Sequence, residues 1–164
     1  MIVVADTSPI NYLVLIDAVC VLPVLYENII VPHAVFAELQ AAETPEKVRD
    51  FVKVFPPWFD VRQATVLLDS ELSELDAGER EAIALVEELN ADALIIDERA
   101  GREQARNRGI FIIGTLGILN SAAEKGLLDL PVALEKLQQT SFRASEKLIS
   151  DLLKLDVDRK KGNS

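Results

Sequence analysis

The sequence predicts an α/β fold with three layers, α/β/α, built on a central and mostly parallel sheet. Short apolar segments rich in Val and Ile alternate along the chain with segments of helical apolar spacing. This alternation is typical of parallel sheets covered by helices. The strand segments are apolar on both faces, as buried parallel strands are. With 164 residues, 49% of them hydrophobic, the chain is long enough for one domain with a sizeable core.

The first strand is predicted over residues 2–5, because this apolar run stops at Asp6. Ser8 is a favourable N-cap and Pro9 a favourable first helical residue, so a helix is predicted over residues 9–18. The elements predicted next are a short helix over 20–26, a strand over 28–31, a helix opened by Pro32 with Val35, Phe36 and Leu39 inward, a helix over 45–54, and an extended piece over 58–63.

The second half of the chain continues the alternation. Residues 71–76 are predicted to form a polar loop, after which Asp76 and Glu79 begin a helix with apolar residues at helical spacing. The remaining elements predicted are a strand over 93–96, a helix over 98–108, a strand over 110–113 and a helix over 115–125. Right-handed crossovers would place helices on both faces of the sheet.

Three regions follow from this pattern. Residues 1–126 are predicted to form the compact α/β domain. Residues 127–158 are predicted to be a helical extension packed on the same domain, with two amphipathic helices that would serve as a lid, a dimer arm or a docking surface. Residues 159–164 are predicted to be a frayed tail.

Composition narrows the classes of function. The net charge of −10 and the pI near 4.6 disfavour avid non-specific binding to duplex nucleic acid. They do not disfavour a carboxylate metal site, because the metal supplies positive charge. Cys20, the only cysteine, lies in an apolar run and is expected to be buried. We see no leader-like or membrane-spanning apolar stretch and therefore expect a cytoplasmic protein with no membrane contact.

Two carboxylates follow predicted core strands directly. Asp6 comes after the first strand and Asp97 after the strand over residues 93–96. In a parallel α/β sheet, ligands bind outside the carboxyl ends of the strands, where the winding direction switches. Each Asp taken alone is equally compatible with a turn residue or a helix cap. The two together favour a functional site at this edge.

Two glutamates lie on predicted helices that start near the same edge. Glu38 lies in the apolar helix after Pro32, which is unusual unless the carboxylate meets a cavity or a cation, although a solvated helix face also explains it. Glu79 lies three residues after Asp76, so the pair also fits a capping box without any chemistry. We assign Asp76 to capping and keep both roles open for Glu79.

Four converging carboxylates would raise one another's pKa values, and a hard dication would relieve that conflict. Carboxylate oxygens with water select Mg²⁺ or Mn²⁺, and the chain offers no His/Cys set for zinc. Such a metal is commonly used to activate water against a phosphodiester. The sequence therefore predicts Mg²⁺- or Mn²⁺-dependent hydrolysis at Asp6, Glu38, Glu79 and Asp97.

Other polar residues were weighed beside these four. His33, the only histidine, is expected at the surface or in a cap, so Ser/His/Asp or Cys/His catalysis has no support. Thr115 follows Gly114 at the start of a helix, without the spacing of a phosphate loop, and would reach a metal-bound water. The helix over 98–108 and its end carry a basic cluster that is a solvated face or a contact for an RNA backbone: Arg99, Arg102, Arg106 and Arg108.

The order and spacing of five short motifs resemble those of the PIN domain family, and in particular the VapC-type toxins. The motifs are Val4-Ala5-Asp6-Thr7-Ser8, Val31-Pro32-His33-Ala34-Val35-Phe36-Ala37-Glu38-Leu39, Gly78-Glu79-Arg80-Glu81-Ala82-Ile83-Ala84-Leu85, Leu94-Ile95-Ile96-Asp97, and Ile112-Ile113-Gly114-Thr115. The resemblance covers residues 1–126.

The resemblance implies a five-element parallel sheet, a site of three or four acids that binds Mg²⁺ or Mn²⁺, and ribonuclease activity on an RNA substrate. It also implies a homodimer and, for a toxin, inhibition by a small antitoxin protein. Matched motif by motif, the acids are Asp6, Glu38, Glu79 and Asp97, and Thr7 or Ser8 supplies the hydroxyl that often follows the first acid.

The chain departs from the family pattern at two positions. Glu79 stands where the family usually has Asp, and Arg99 stands where many relatives have a further acid. Glu81 is a second choice for the third acid, although its position two residues on turns it away from Glu79. The leading hypothesis is a toxin endoribonuclease. The alternatives are a non-catalytic module that binds RNA or protein, and a phospho-aspartyl phosphatase or receiver-like domain with Asp6 as nucleophile.

Overall fold

The computed structural model describes residues 1–66 and 72–162. Within them, five strands run in chain order: β1 (Ile2–Ala5), β2 (Asn28–Pro32), β3 (Phe59–Arg62), β4 (Ala93–Ile95) and β5 (Ile112–Ile113). The α-helices in the same ranges are α1 (Thr7–Leu15), α2 (Leu22–Leu25), α3 (His33–Leu39), α4 (Glu46–Lys53), α5 (Ala77–Leu89), α6 (Arg99–Asn107), α7 (Thr115–Glu124), α8 (Leu130–Gln138) and α9 (Glu146–Gly162).

The five strands form one parallel sheet in the order β3-β2-β1-β4-β5. The central strand β1 pairs with β2 on one side and with β4 on the other. The chain first winds outward from β1 through β2 to β3, and then returns to the opposite side of β1. The switch in winding direction therefore lies between β1 and β4, and it places Asp6 and Asp97 at neighbouring strand ends.

Alternate strand residues supply two separate cores, so the sheet is covered on both faces and the predicted three-layer α/β/α fold is confirmed. Val3 and Ile95 face one core, which includes buried residues of α1, α3, α7 and α8. Val4 and Leu94 face the other core, which is built mainly with α5. Period-two alternation in strands that are apolar at every position produces this division.

Each predicted strand and helix is found in the structure, with differences at the ends. The first helix begins at Thr7, so its N-cap is Asp6 and not Ser8. Residues predicted to lie in a polar loop include Leu72 and Leu75, which are buried in the core against α5, while Glu71 lies outside the described residues. Cys20 is exposed and not buried, because it lies on the outer side of a 3-10 turn.

The C-terminal helices belong to the same core as the sheet. Leu134 and Leu137 of α8 and Ile149 of α9 are buried in the core that contains β1. Helix α9 continues to Gly162, so the frayed tail predicted from residue 159 is wrong for 159–162; residues 163–164 lie outside the described part. The buried Asp156 holds Lys160 at 2.9 Å, and Arg159 reaches the Asn120 side chain, which together explain why this end stays helical.

Across residues 1–66 and 72–162, no single helix combines the length and apolar character needed to cross a bilayer. The bent pair Thr7–Leu15 and Val19–Leu25 passes on length and composition only when taken together.

The packing of α8 generates a stability prediction. Leu137 is fully buried, so Leu137→Ala should lower the free energy of unfolding by about 2–5 kcal/mol through lost burial and the cavity left behind. Leu155 in α9 is 56% exposed, and the matched change Leu155→Ala should cost far less. Urea unfolding followed by circular dichroism measures both. Equal stability of the two variants would show that the C-terminal helices do not share the core of the sheet.

Candidate metal centre

Asp6 is the most deeply placed acid at this edge of the sheet. Its backbone N–H donates to the Ile95 carbonyl at 2.9 Å, so its position is fixed by the pairing of β1 with β4. Its side chain is only 4% exposed and makes no N-cap hydrogen bond to α1, although Asp6 occupies the N-cap position. A helix-capping role therefore does not explain this Asp, and its carboxylate is a candidate ligand.

Glu38 lies on α3, the helix that follows β2, which pairs with β1. Its side chain is exposed, and its Oε2 accepts a hydrogen bond from the Thr7 hydroxyl at 2.8 Å. Thr7 is the residue after Asp6, so this bond ties the second predicted acid to the first. Of the two candidates for the hydroxyl after the first acid, Thr7 is therefore the one that contacts a predicted site residue. Ser8 lines a small pocket of about 330 Å³ beside Glu38.

Glu79 and Asp76 form a reciprocal capping box at the start of α5. Asp76 Oδ1 accepts from the Glu79 N–H at 2.8 Å, and Glu79 Oε2 accepts from the Asp76 N–H at 3.3 Å. Glu79 is nevertheless 6% exposed, which is unusual for a cap residue on a surface helix. Its carboxylate lies next to Gly101 of α6, where an added Cβ would be 3.7 Å from Glu79 Cδ.

The first turn of α5 is also where Asp6 and Glu38 meet. A Cβ placed on Gly78 would be 3.3 Å from Glu38 Oε2, 3.5 Å from Asp6 Oδ1 and 3.2 Å from Val35 Cγ2. Two carboxylate oxygens from different elements thus lie around the same point. Because Gly78 has no side chain, that point is free, a role that no pattern in the sequence indicates.

Glu81 has a structural role that fixes α3. Its Oε1 accepts from the backbone N–H of Ala34 at 2.8 Å, in the first turn of α3, and its Oε2 accepts from Ala64 at 3.4 Å. The N–H groups of a first helical turn have no partner within the helix, so this carboxylate caps α3 from a neighbouring helix. Glu81 therefore orients the helix that carries Glu38 and is not free to replace Glu79.

Asp97 follows β4 and contacts a different set of groups. Its Oδ1 accepts from the Thr115 N–H at 2.8 Å and its Oδ2 from the Thr115 hydroxyl at 2.5 Å, so it caps the first turn of α7. A Cβ on Gly114 would lie 3.2 Å from Asp97 Oδ1 and 2.7 Å from Arg102 Nη1. Carboxylate and guanidinium thus flank one point, and Thr115 already occupies both oxygens of Asp97.

The surroundings of the site disfavour the ionised form of three of its carboxyl groups. Burial above all, with the negative charges of Asp76, Glu79 and Glu38, raises the pKa of Asp6 from an ordinary 3.8 to about 8, while the Thr7 N–H acts in the opposite direction. Burial, with the charge of Asp76, raises the pKa of Glu79 to about 7. Burial also raises the pKa of Asp97, while the Thr115 hydrogen bonds and the Arg102 charge lower it.

The chemistry of these donors fits a hard divalent cation. All candidate ligands are carboxylate or hydroxyl oxygens, which suit Mg²⁺ or Mn²⁺, and a cation would relieve the repulsion around Asp6. Asp6 and Glu38 are the pair brought closest to a shared position. In the described ranges, no group of three or more His, Cys, Asp and Glu side chains has the geometry to hold a metal ion. Asp6 and Glu38 thus lie together near Gly78, Glu79 forms the capping box with Asp76, and Asp97 accepts from Thr115, so the four-acid site stays a prediction.

The remaining predicted residues lie around this centre. Arg99 is exposed in the first turn of α6, and His33 is exposed at the start of α3, as predicted for a surface histidine. Arg102 is the member of the basic cluster that faces the site, where its Nη1 donates to the Ile96 carbonyl at 3.3 Å. In the sequence, Arg102 is one of four arginines on this helix and its end, and no pattern singles it out as the one that faces the site.

Comparison with known proteins agrees with this architecture. A family model described as the PIN domain matches residues 2–157. Among solved structures, a PilT N-terminus domain protein from the hyperthermophilic archaeon Sulfolobus solfataricus P2 is similar, with a TM-score of 0.52 and 17% identity over 74% of this chain and 93% of that chain. At that identity the likeness shows the fold alone. Comparison with curated proteins finds no match.

The raised pKa of Asp6 predicts how stability depends on pH in the absence of metal. A carboxyl group whose pKa rises on folding stabilises the folded chain while it is protonated, and this contribution is lost as the pH rises through the folded-state value. With pKa values of about 8 for Asp6 and about 7 for Glu79, the Tm of the metal-free chain should fall between pH 5 and pH 8. Asp6→Asn should lessen that fall and raise the Tm at pH 8.

Thermal unfolding in EDTA, followed by circular dichroism, measures this dependence. The exposed Asp158 provides a matched control, since Asp158→Asn should keep the wild-type pH dependence. A wild-type Tm that is constant from pH 5 to pH 8, or one that Asp6→Asn lowers at pH 8, would contradict the raised pKa of Asp6.

Proposed function

Since the chain belongs to the PIN domain family, whose members are typically nucleases, we propose that it is a Mg²⁺- or Mn²⁺-dependent endoribonuclease. The observation that carries the proposal is the buried Asp6 at the switch point of the sheet, which makes no N-cap hydrogen bond and has Glu38 and Glu79 near it. A structural Asp in this position would cap α1, and it does not. A carboxylate that is buried against its own ionisation, beside other acids, is typical of a functional site.

The chain's own residues divide the work as follows. Asp6 and Glu38 would hold the metal beside Gly78, and Thr7 orients Glu38 through its hydroxyl. Arg102, beside Asp97, would meet the phosphate of the substrate and offset the negative charge of the centre. When bound, the divalent ion would neutralise the carboxylates and activate water toward the phosphodiester.

We further propose that the nuclease is the toxin of a toxin–antitoxin pair. The support is the resemblance of its motifs to those of VapC-type toxins. The homodimer and the small antitoxin are predictions that rest on the same resemblance, and the cytoplasmic location is a prediction from the hydropathy of the sequence.

A module that binds RNA without cleaving it is a second candidate. It is favoured by Asp97, whose two oxygens are both engaged by Thr115, and by the exposed Arg99 in place of a further acid. Calorimetric titration with Mn²⁺ separates the two candidates. Binding near or below the millimolar range supports the nuclease, and no binding in that range supports the module.

Replacement of Asp6 tests the nuclease directly. Asp6→Asn keeps the size of the side chain but removes the negative charge, so Mn²⁺-dependent cleavage of RNA should fall by about 100-fold or more. Cleavage is followed by gel electrophoresis of a labelled RNA, with and without EDTA. Glu135 on α8 is an exposed acid away from this edge, and Glu135→Gln should cleave like wild type. Equal cleavage by the Asp6→Asn variant would show that the site lies elsewhere.

Gly78 provides a test of where the metal lies. An Ala side chain would enter the space between Glu38 Oε2 and Asp6 Oδ1, so Gly78→Ala should weaken Mn²⁺ binding measured by calorimetry. The Tm should change little, since Ala is the better helix former and offsets the close contact with Val35.

The control for Gly78→Ala is Gly117→Ala in α7, where an added Cβ would meet only Ile113 Cγ2 at an ordinary 3.6 Å. That variant should bind Mn²⁺ as wild type does. Unchanged Mn²⁺ affinity in the Gly78→Ala variant would place the metal away from this point.

A further inference from the structure

A groove of about 730 Å³ runs along the edge of the sheet beside β5. Strand β5 pairs only with β4 in the described sheet, so its outer side is open. Asp97, Arg102 and Gly114 line one end of the groove, so that end lies beside the acid that follows β4. Phe111, Arg143 and Leu148 line the groove farther from β4. The groove therefore offers a path for a chain-like ligand that leaves the centre.

Phe111 presents an aromatic ring to this groove. It is 63% exposed, while its backbone carbonyl accepts from the Leu94 N–H at 2.9 Å and so joins the sheet. Ile112 packs toward the core with α5, and Ile113 toward the core with α1 and α7. By alternation, Phe111 points to the same side of the sheet as Ile113, where the groove lies. An exposed aromatic ring on the residue before β5, held to the sheet by this backbone hydrogen bond, is a ready stacking platform.

The groove carries two arginines, Arg102 and Arg143, with Asp97 at one end, in a chain whose net charge is −10. Many basic residues elsewhere are paired with carboxylates, including Arg62 with Asp60 and Lys47 with Asp17. Within the described residues, neither Arg102 nor Arg143 is in a salt bridge: Arg102 donates to the Ile96 carbonyl and lies beside Asp97, and Arg143 is exposed. Since the rest of the surface repels polyanions, these two charges mark where a phosphate backbone meets the least opposition.

The wall that carries Arg143 is held in place by aromatic packing. The neighbouring Phe142 packs edge-on against Tyr12 of α1 with ring centroids 5.1 Å apart, and the Tyr12 hydroxyl lies 3.0 Å from Ser141 Oγ. Two neighbouring residues of the link between α8 and α9, Ser141 and Phe142, thus both contact Tyr12 of α1. Arg143 is therefore presented from a fixed backbone, which reduces the entropy lost when a ligand binds.

From these observations we propose that the β5 groove binds a single-stranded RNA segment that flanks the cleaved phosphate. Phe111 stacks on a base, and Arg143 and Arg102 contact backbone phosphates, with Arg102 nearest the metal centre. A single strand fits better than a duplex because its bases are free to leave one another and stack on the ring. The proposal rests on the proposed nuclease function, since it names how the substrate of that site is held.

Fluorescence anisotropy with a labelled 12-nucleotide RNA of mixed sequence tests the groove. All variants are made in the full-length chain carrying Asp6→Asn, with Mn²⁺ present, so that binding is measured without cleavage. Phe111→Leu keeps apolar bulk but removes stacking and should weaken binding about tenfold, whereas Phe111→Tyr should retain it. Arg143→Gln should weaken binding and reduce the slope of log affinity against log salt by about one.

Lys136 on α8 provides the charge-matched control, because it lines a different groove with Cys20 and Val24. Lys136→Gln should leave RNA affinity and its salt slope nearly unchanged. Equal affinities for Phe111→Leu, Phe111→Tyr and the parent, or a duplex bound more tightly than the single strand, would overturn the proposal. A dimer in sedimentation that dissociates in the Phe111→Leu variant would also overturn it, because a second copy of the chain would then occupy the groove.

The failure of this proposal is distinguishable from failure of the nuclease function. If the chain with Asp6 intact cleaves RNA with Mn²⁺ but the groove variants bind RNA as the parent does, the groove proposal alone is wrong. If no RNA is cleaved while Phe111→Leu and Arg143→Gln both weaken binding, the groove stands and the nuclease function is wrong.

Discussion

The carboxylate of Asp6 is the constraint on which the rest of the structure depends. The pairing of β1 with β4 fixes its position, burial removes its water, and neighbouring acids oppose its charge. The side chain forms no N-cap hydrogen bond to α1, and the Thr7 N–H offsets only part of the cost of burying its charge. A proton or a cation is needed to make the arrangement favourable, and this need distinguishes a site from a well-satisfied acidic surface.

The surrounding helices are positioned by acids that are themselves structural. Glu81 caps α3 from α5, and α3 carries Glu38. The Asp76–Glu79 capping box begins α5 and brings Gly78 against Asp6. Helix starts attract negative charge because their N–H groups are unpaired, so the same physics that begins these helices concentrates carboxylates at one edge of the sheet. Repulsion at the centre is thus a by-product of how the scaffold is held together.

The parts of this arrangement that sequence reasoning reached are those fixed by local pattern. Asp6 and Asp97 end apolar runs, and the capping box is visible in Asp76 and Glu79, so the strand ends and helix starts were predictable. The parts it missed depend on tertiary contacts. Cys20 lies in an apolar run yet faces outward, Leu72 and Leu75 look like loop residues yet fill a core, and the end of α9 is held by the buried Asp156. The engagement of Asp97 by Thr115 likewise joins residues 18 positions apart, which no periodicity reveals.

The capping box has a consequence for how relatives of this chain should be compared. Because Glu79 is needed to begin a helix, natural selection would retain an acid there even in a descendant that had lost all catalytic use for it. Asp6 caps nothing and weakens the unliganded fold, so a descendant without activity would be free to exchange it for a neutral residue. In this lineage an acid at the position of Asp6 is therefore an informative marker of an active enzyme, whereas an acid at the position of Glu79 is a poor one.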